Sequence, residues 1–316
     1  MQLKRPLKIL AQFMVFNIIL FVLTFLPITL YGPFKNIRNT VIGSVGTSMH
    51  AYLLGYVLGQ DELDRIMAQS QASGSVDEKL FTFDKRHSND ITLSEINGSR
   101  YKGYLLKISD PSRVQLAPAS SMGIKGQTTS QIARENNAIA SVNAGGFIDP
   151  HGTGTGRLPY GVVIHDGEFL AGEDCQGKVQ LAGLTDDGLL VAGKYTVEEI
   201  KEMHIKEGIS FGPPLILNGD KQISEGDGGW GIAPRTALGQ TEDGTILLLV
   251  IDGRQLQHSL GATIVDVQDI LYENGAVTAV NLDGGSSTTM YYSGKVINRP
   301  CDILGERQIP TAFIVK

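Results

Sequence analysis

Apolar and polar positions divide the 316-residue chain into two unlike parts. Residues 9–31 read ILAQFMVFNIILFVLTFLPITLY, 23 residues without a charge, close to the roughly 20 needed to cross the hydrocarbon core of a bilayer. Gln12, Asn17 and Pro27 are isolated within the run, and a span tolerates such residues when Leu, Ile, Val and Phe make up the remainder. Lys4, Arg5 and Lys8 lie on its N-terminal side and only Lys35 and Arg38 just beyond it. The positive-inside tendency therefore places the N-terminus in the cytoplasm, with a modest bias, and the rest of the chain outside. A cleaved signal peptide would have a shorter apolar region and a small-residue cleavage site, and no A-x-A site is evident. Farther on, Leu53, Leu54, Val57, Leu58, Leu63, Ile66 and Met67 recur at mostly helical spacing within 47–71, which predicts a helical stalk. Three or four clean heptads are missing, so the pattern does not establish a coiled coil. The small, polar stretch 72–78 reads as a linker.

Beyond residue 80 the pattern changes to short apolar runs separated by Gly, Asn and Asp. It predicts strands over 101–108, 113–118, 138–143, 160–165, 189–193, 210–217, 236–240, 246–252, 279–282, 288–292 and 311–315. Asp166-Gly167, Asp187-Gly188, Asn218-Gly219 and Asp243-Gly244 have the chemistry of hairpin turns. Helical periodicity interrupts the strands at 129–136 and at 263–274, where Ile264, Val267, Ile270 and Leu271 fall three or four apart. The expected architecture is α+β: a mixed β-sheet domain, or two packed sheets, with covering helices, preceded by one N-terminal transmembrane helix. The corresponding divisions are 1–35 for the cytoplasmic tip and anchor, 36–80 for stalk and linker, and 81–316 for one large domain.

Composition narrows the function. The 38 glycines, about 12% of the chain, exceed the usual fraction of about 7% and imply many turns. A formal net charge of −6 leaves no basic excess for a nucleic-acid backbone. Two cysteines, Cys175 and Cys301, cannot build a Cys-rich metal site, although one bridge would be permitted in an oxidising compartment.

Four glycine-containing segments combine backbone freedom with functional side chains. In SVNAGGFID, Asn143 closes an apolar strand, Gly145 and Gly146 let backbone approach a ligand, and Phe147 and Asp149 follow; a plain Asn-initiated turn explains that string equally well. Arg235 stands at the start of a predicted strand, where a guanidinium suits bidentate binding of phosphate. Asp252, Gly253 and Arg254 close the run 246–251, with His258 four residues on. In AVNLDGGSSTT, Asp283 leads into Gly284, Gly285, Ser286 and Ser287, whose amides and hydroxyls could form an anion-binding nest. Neither a P-loop nor a G-x-S-x-G elbow is present. Asp149, Asp252 and Asp283 offer oxygen ligands of the kind calcium takes, but EF-hand spacing is lacking, and His151, His165, His204 and His258 form no H-E-x-x-H. Hence no metal or cofactor is assigned, with calcium left open.

In order, NAGGF, FGPPLILNG, PRTALG, VIDGR and NLDGGSSTT resemble the phosphodiester glycosidase family, which includes many bacterial proteins loosely described as exopolysaccharide proteins. The similarity runs from about Tyr101 to the C-terminus and includes Asn298-Arg299-Pro300 and the stretch 308–315. Ile148 stands where a second aromatic is frequent, and Ser287 replaces a third glycine. The resemblance implies hydrolysis at the anomeric carbon of a sugar 1-phosphodiester. The substrate would be a phosphate-linked sugar or surface polysaccharide, outside a cell membrane to which the chain is anchored by a single pass. On that reading Arg235, Arg254 and the loop 284–287 meet the phosphate, while Gly145, Gly146, Phe147 and His258 line the substrate. Asn143, Asp252 and Asp283 are the catalytic candidates, with Asp283 or Asp252 activating water or attacking the sugar. A noncatalytic wall- or polysaccharide-binding module and a transglycosylase that builds polymer are the alternatives. All of these readings require the loops bearing Asn143, Asp252, Arg254 and Asp283 to meet in one hollow.

Overall fold

A computed structural model describes residues 4–31, 87–148, 154–224 and 227–316, together with 38, 42, 58 and 59. The predicted stalk and linker, apart from residues 38, 42, 58 and 59, and Asp149 and His151 lie outside the described residues. The N-terminal helix spans Lys4–Tyr31. Its segment Lys8–Thr29 is long and apolar enough to cross a membrane, and the helix presents large apolar side chains on all sides. Two polar side chains within it bond back to the helix: Asn17 Nδ2 donates to the Phe13 carbonyl and Thr24 Oγ1 to that of Leu20, each at 2.7 Å. Such internal bonding is what a hydrocarbon surrounding demands.

Three sheets share one apolar core. The largest runs, in spatial order, Ile91–Asn97, Lys102–Ile108, Ile246–Ile251, Arg235–Thr241, Ala276–Asn281, Pro214–Leu217 and Asp220–Lys221. A second runs Leu190–Tyr195, Val179–Thr185, Ile205–Ile209, Val163–His165 and Glu168–Ala171; a third runs Lys295–Val296, Met290–Tyr292, Ala140–Asn143, Thr311–Val315 and Val114–Pro118. The strand pairs that build these sheets are antiparallel. The expected α+β class with covering helices is present, distributed over three sheets.

The strand Ile246–Ile251, ILLLVI, shows why the runs are so apolar. Its even positions Ile246, Leu248 and Val250 enter the core shared with Phe313, Val142 and Ile209 of the other two sheets. Its odd positions Leu247, Leu249 and Ile251 pack toward the helix Ile264–Glu273. Both faces are dry, so the polar half of a half-buried strand's alternation disappears. The outer faces of the other two sheets are covered in the same way, by Thr129–Glu135 through Ile132 and Ala133 and by Val197–Glu202 through Val197 and Ile200. Each of these three helices starts at a threonine, Thr128, Thr196 or Thr263, that forms a reciprocal capping box with the residue three positions on.

The four predicted turns each join neighbouring strands. Asn218 and Gly219 both have positive φ, 54° and 81°, as a two-residue hairpin of the tightest kind requires. The helix Val197–Glu202 and the strands Ile91–Asn97, Glu168–Ala171, Asp220–Lys221, Lys295–Val296, Val179–Thr185 and Ile205–Ile209 were not anticipated. The last contains Lys206 and Glu207 and is irregular in register beside Val179–Thr185, which hides its alternation. The cysteines are unpaired: Cys175 packs on the outer face of the second sheet and Cys301 lies beside Arg254.

Phe313 is fully buried where the three sheets meet. Truncation in such a place removes both transfer energy and packing, so Phe313→Ala is expected to cost about 3–5 kcal/mol in denaturant unfolding. A loss below about 1 kcal/mol would mean that the shared core is not the stabilising element.

Candidate active site

Three strands end in one region. Ala140–Asn143 delivers Asn143, Ile246–Ile251 delivers Asp252, and Ala276–Asn281 delivers Asp283 two residues past its end. The Asn143 side chain joins its own strand to the Asp283 segment and to the neighbouring strand Arg235–Thr241. Its Nδ2 donates to the Asp283 carbonyl, while its Oδ1 accepts from Thr236 Oγ1 at 2.8 Å and from the Thr289 amide at 3.1 Å. The Asp283 amide in turn donates to the Ala144 carbonyl at 3.1 Å. Asn143 is fully buried and its carbonyl oxygen is doubly engaged, so its contribution is positional.

Asp252 is also buried, and both of its oxygens are occupied. Oδ1 accepts from Asn298 Nδ2 at 3.0 Å and from the Arg299 amide at 2.9 Å, and Oδ2 lies 2.8 Å from His258 Nε2. The carboxylate therefore fixes the imidazole, whose side chain is 17% exposed. Asn298 extends the link, donating to the Thr288 carbonyl at 3.1 Å and so tying Asp252 to the loop that follows Asp283.

Asp283 has a different environment. Burial pushes its pKa up to about 6, even though the Ser287 hydroxyl, the Arg307 and Arg254 guanidinium groups and the Gly284 amide all favour the anion. Arg254 reaches over Gly285: a Cβ built there would lie 3.3 Å from Arg254 Nη1. Gly285 also has φ of 61°, the left-handed conformation that favours glycine. Arg307, almost wholly buried, donates to Ser286 Oγ at 2.8 Å, packs over the Phe147 ring with 5.1 Å to the centroid, and lies 4.0 Å from Asp302 Oδ2.

Two expected contributions change. Arg235 is buried, with Nη2 donating to the Trp230 and Gly231 carbonyls, both at 2.7 Å, and Nε to that of Ala262 at 3.2 Å. Burial, with Arg254 nearby, brings its pKa down to about 10. It thus anchors the 230–235 segment instead of presenting an open phosphate clamp. The loop 284–287 is likewise less open than a four-amide nest, because Gly285–Ser287 closes into a 3-10 turn. The Gly285 amide donates to Pro234, Ser287 to Gly284 and Thr288 to Gly285, and the Ser287 hydroxyl serves Asp283.

Gly145 and Gly146 belong to the same region. The Gly145 amide donates to Thr311 Oγ1 at 3.2 Å, and a Cβ on Gly146 would strike Phe211 at 2.9 Å. Phe211 and Trp230 pack with centroids 6.4 Å apart. Arg307, Asn298 and Phe211 were not singled out as site residues by sequence reasoning. Arg307 sits in irregular chain before the last strand and has no local signal, whereas Asn298 was already visible in the Asn-Arg-Pro string. On the second sheet, His165, Asp166 and Glu207 bring potential metal-binding atoms within 4.8 Å of one another; there His165 Nδ1 lies 2.9 Å from Glu207 Oε2.

The raised Asp283 value gives a stability prediction. A carboxyl with an ordinary value near 3.8 that holds its proton more tightly when folded contributes stability below about pH 4. That contribution is lost as pH rises through about 6. Asp283→Asn should therefore gain roughly 1–3 kcal/mol relative to the parent protein between pH 4 and pH 8 in denaturant melts. An equal difference at both pH values would show that Asp283 ionises without penalty.

Comparison with known proteins is consistent with this architecture. The family model for phosphodiester glycosidases matches residues 136–316. Mouse N-acetylglucosamine-1-phosphodiester α-N-acetylglucosaminidase is 25% identical over 236 residues, covering 66% of this chain and 43% of the mouse protein. The SPbeta prophage-derived uncharacterized protein YomE of Bacillus subtilis is 26% identical over 197 residues, covering 60% of this chain and 29% of its own length. The chain thus spans less than half of these relatives. The catalytic domain of the zebrafish N-acetylglucosamine-1-phosphodiester α-N-acetylglucosaminidase shares the fold, with a TM-score of 0.60 and 22% identity over 78% of this chain and 86% of that one. With the family match extending over more than half of its residues, this chain belongs to the phosphodiester glycosidase family.

Proposed function

We propose that the chain is a membrane-anchored, extracytoplasmic hydrolase that cleaves a sugar 1-phosphodiester at its anomeric carbon, in a cell-surface glycan or related glycoconjugate. The observation that carries this reading is the setting of Asp283. A desolvated carboxyl stands beside two guanidinium groups, Arg254 and Arg307, at the meeting point of three strand ends. A carboxylate beside guanidinium groups suits a substrate that becomes positive at carbon while negative charge gathers on a departing phosphate. The family membership and the curated relatives named for phosphodiester cleavage support the same chemistry.

Each group has a task on this reading. Arg254 and Arg307 meet the phosphate, stabilising the negative charge that grows on it as the C1–O bond breaks. Phosphate is a good leaving group, so strong protonation of the leaving oxygen is unnecessary. Ionised Asp283 faces the oxocarbenium-like carbon, and His258, held by Asp252, takes the proton of the entering water. Direct attack by Asp252 is disfavoured because both of its oxygens already accept hydrogen bonds. Phe147, with Arg307 against one face of its ring, offers an aromatic wall for the pyranose. The N-terminal helix holds the site at the outer face of the membrane.

The test is incubation of the full chain with the methyl diester of N-acetylglucosamine 1-phosphate, with and without an acceptor sugar. Release of free sugar and methyl phosphate is expected. Transfer of the sugar to the acceptor would identify a transglycosylase, and binding without products a noncatalytic module. Asp283→Asn should lower kcat roughly a thousandfold, and Arg307→Ala should lower kcat/KM roughly a hundredfold, each with the native fold intact by circular dichroism. The acid limb of the parent profile should fall near pH 6, where Asp283 ionises. Full activity of Asp283→Asn would refute its assignment.

A further inference from the structure

Two turns beside the site carry aliphatic side chains pointing into solvent. Leu256 is 91% exposed in the turn closed by the Gln255–Ser259 bridge, and Ile303 and Leu304 are 99% and 92% exposed in the turn closed by the Asp302–Gly305 bridge. These are held positions. The Leu304 amide donates to Asp302 Oδ1 at 3.0 Å, and the His258 amide to the Gln255 carbonyl at 3.0 Å. The turns are also tied to one another: Gln255 Nε2 donates to the Arg299 carbonyl at 2.8 Å, and Arg254 hydrogen-bonds the Cys301 thiol. Arg254 thus interacts both with Cys301, next to the second tip, and with Asp283, and Arg299 is exposed.

Resting on the proposed hydrolase reading, we infer that the second ester of the phosphodiester is to a lipid alcohol, and that Leu256, Ile303 and Leu304 dip into the bilayer that holds it. Three observations converge on a lipid occupant. The same chain carries a helix long and apolar enough to span a membrane. Fifty-five residues, 32–86, lie between that helix and the domain in sequence. The tips flank guanidinium groups, so a phosphate at the interface would meet Arg254 while its hydrocarbon stays among the aliphatic side chains, the pairing of charge and apolar surface that interfacial proteins use. In the reaction the oxygen of water bonds to C1 as the C1–O bond breaks. The bridging oxygen leaves with the lipid phosphate monoester, and His258 carries away the proton of water.

The test uses the full chain in bilayer nanodiscs with two substrates that share N-acetylglucosamine 1-phosphate. One is esterified to a long isoprenoid alcohol embedded in the disc, the other to methanol in solution. The triple variant Leu256→Ser, Ile303→Ser, Leu304→Ser is expected to lose at least tenfold in kcat/KM on the lipid ester and to stay within twofold on the methyl ester, which also verifies folding. Equal losses on both, or none on the lipid ester, would overturn the inference while leaving the hydrolase reading standing. A second arm needs no turnover: in full-length Leu304→Trp, the fluorescence added to that of Trp230 should be quenched by brominated acyl chains. Absence of quenching would overturn the lipid contact, whereas a parent protein that cleaved neither ester would sink the hydrolase reading.

Discussion

The architecture of the site depends on one buried amide. Asn143 sits where the strand Ala140–Asn143 of the third sheet meets two strands of the largest, and its side chain bonds to Asp283, Thr236 and Thr289. Backbone that leaves a sheet strands its polar groups in a dry core unless something satisfies them. Here one side chain does so for segments 140 residues apart in sequence, and thereby sets where Asp283 emerges. A side chain of similar volume without both a donor and an acceptor would leave buried groups unpaired.

From that junction outward the structure separates two carboxylates by environment. Asp252 is surrounded by donors and fixes His258; Asp283 is desolvated and faces cations that only partly offset the penalty. Two similar side chains at the ends of two strands of one sheet thus acquire different chemistry, as is common where one site needs both a positioning group and a reacting one. The cations divide in the same way. Arg235 is consumed by backbone carbonyls, whereas Arg254 and Arg307 remain next to Asp283.

Much of the domain could be read from the chain alone, for identifiable reasons. The run 246–251 and the final strand 311–315 are apolar because both of their faces are covered, and the Asp-Gly and Asn-Gly pairs mark turns that only such residues make easily. The stretch 263–274 shows its helix through the spacing of Ile264, Val267 and Leu271 and through its threonine cap. Illegible was whatever depends on distant partners. Whether a guanidinium is open or spent, as for Arg235, is decided by carbonyls of residues 230, 231 and 262. Arg307 gains its meaning only from contact with Phe147 and Ser286. The closure of 285–287 into a tight turn was hidden for the same reason, since Gly-Gly-Ser-Ser permits an open nest equally well.

The central claim is that the site acts on the sugar carbon and treats phosphate as the leaving group. Hydrolysis of the methyl diester of N-acetylglucosamine 1-phosphate in ¹⁸O-labelled water tests it most directly. The account predicts label in the released sugar and none in methyl phosphate. Label in the phosphate product would show attack at phosphorus, and would contradict the roles given to Asp283, Arg254 and Arg307.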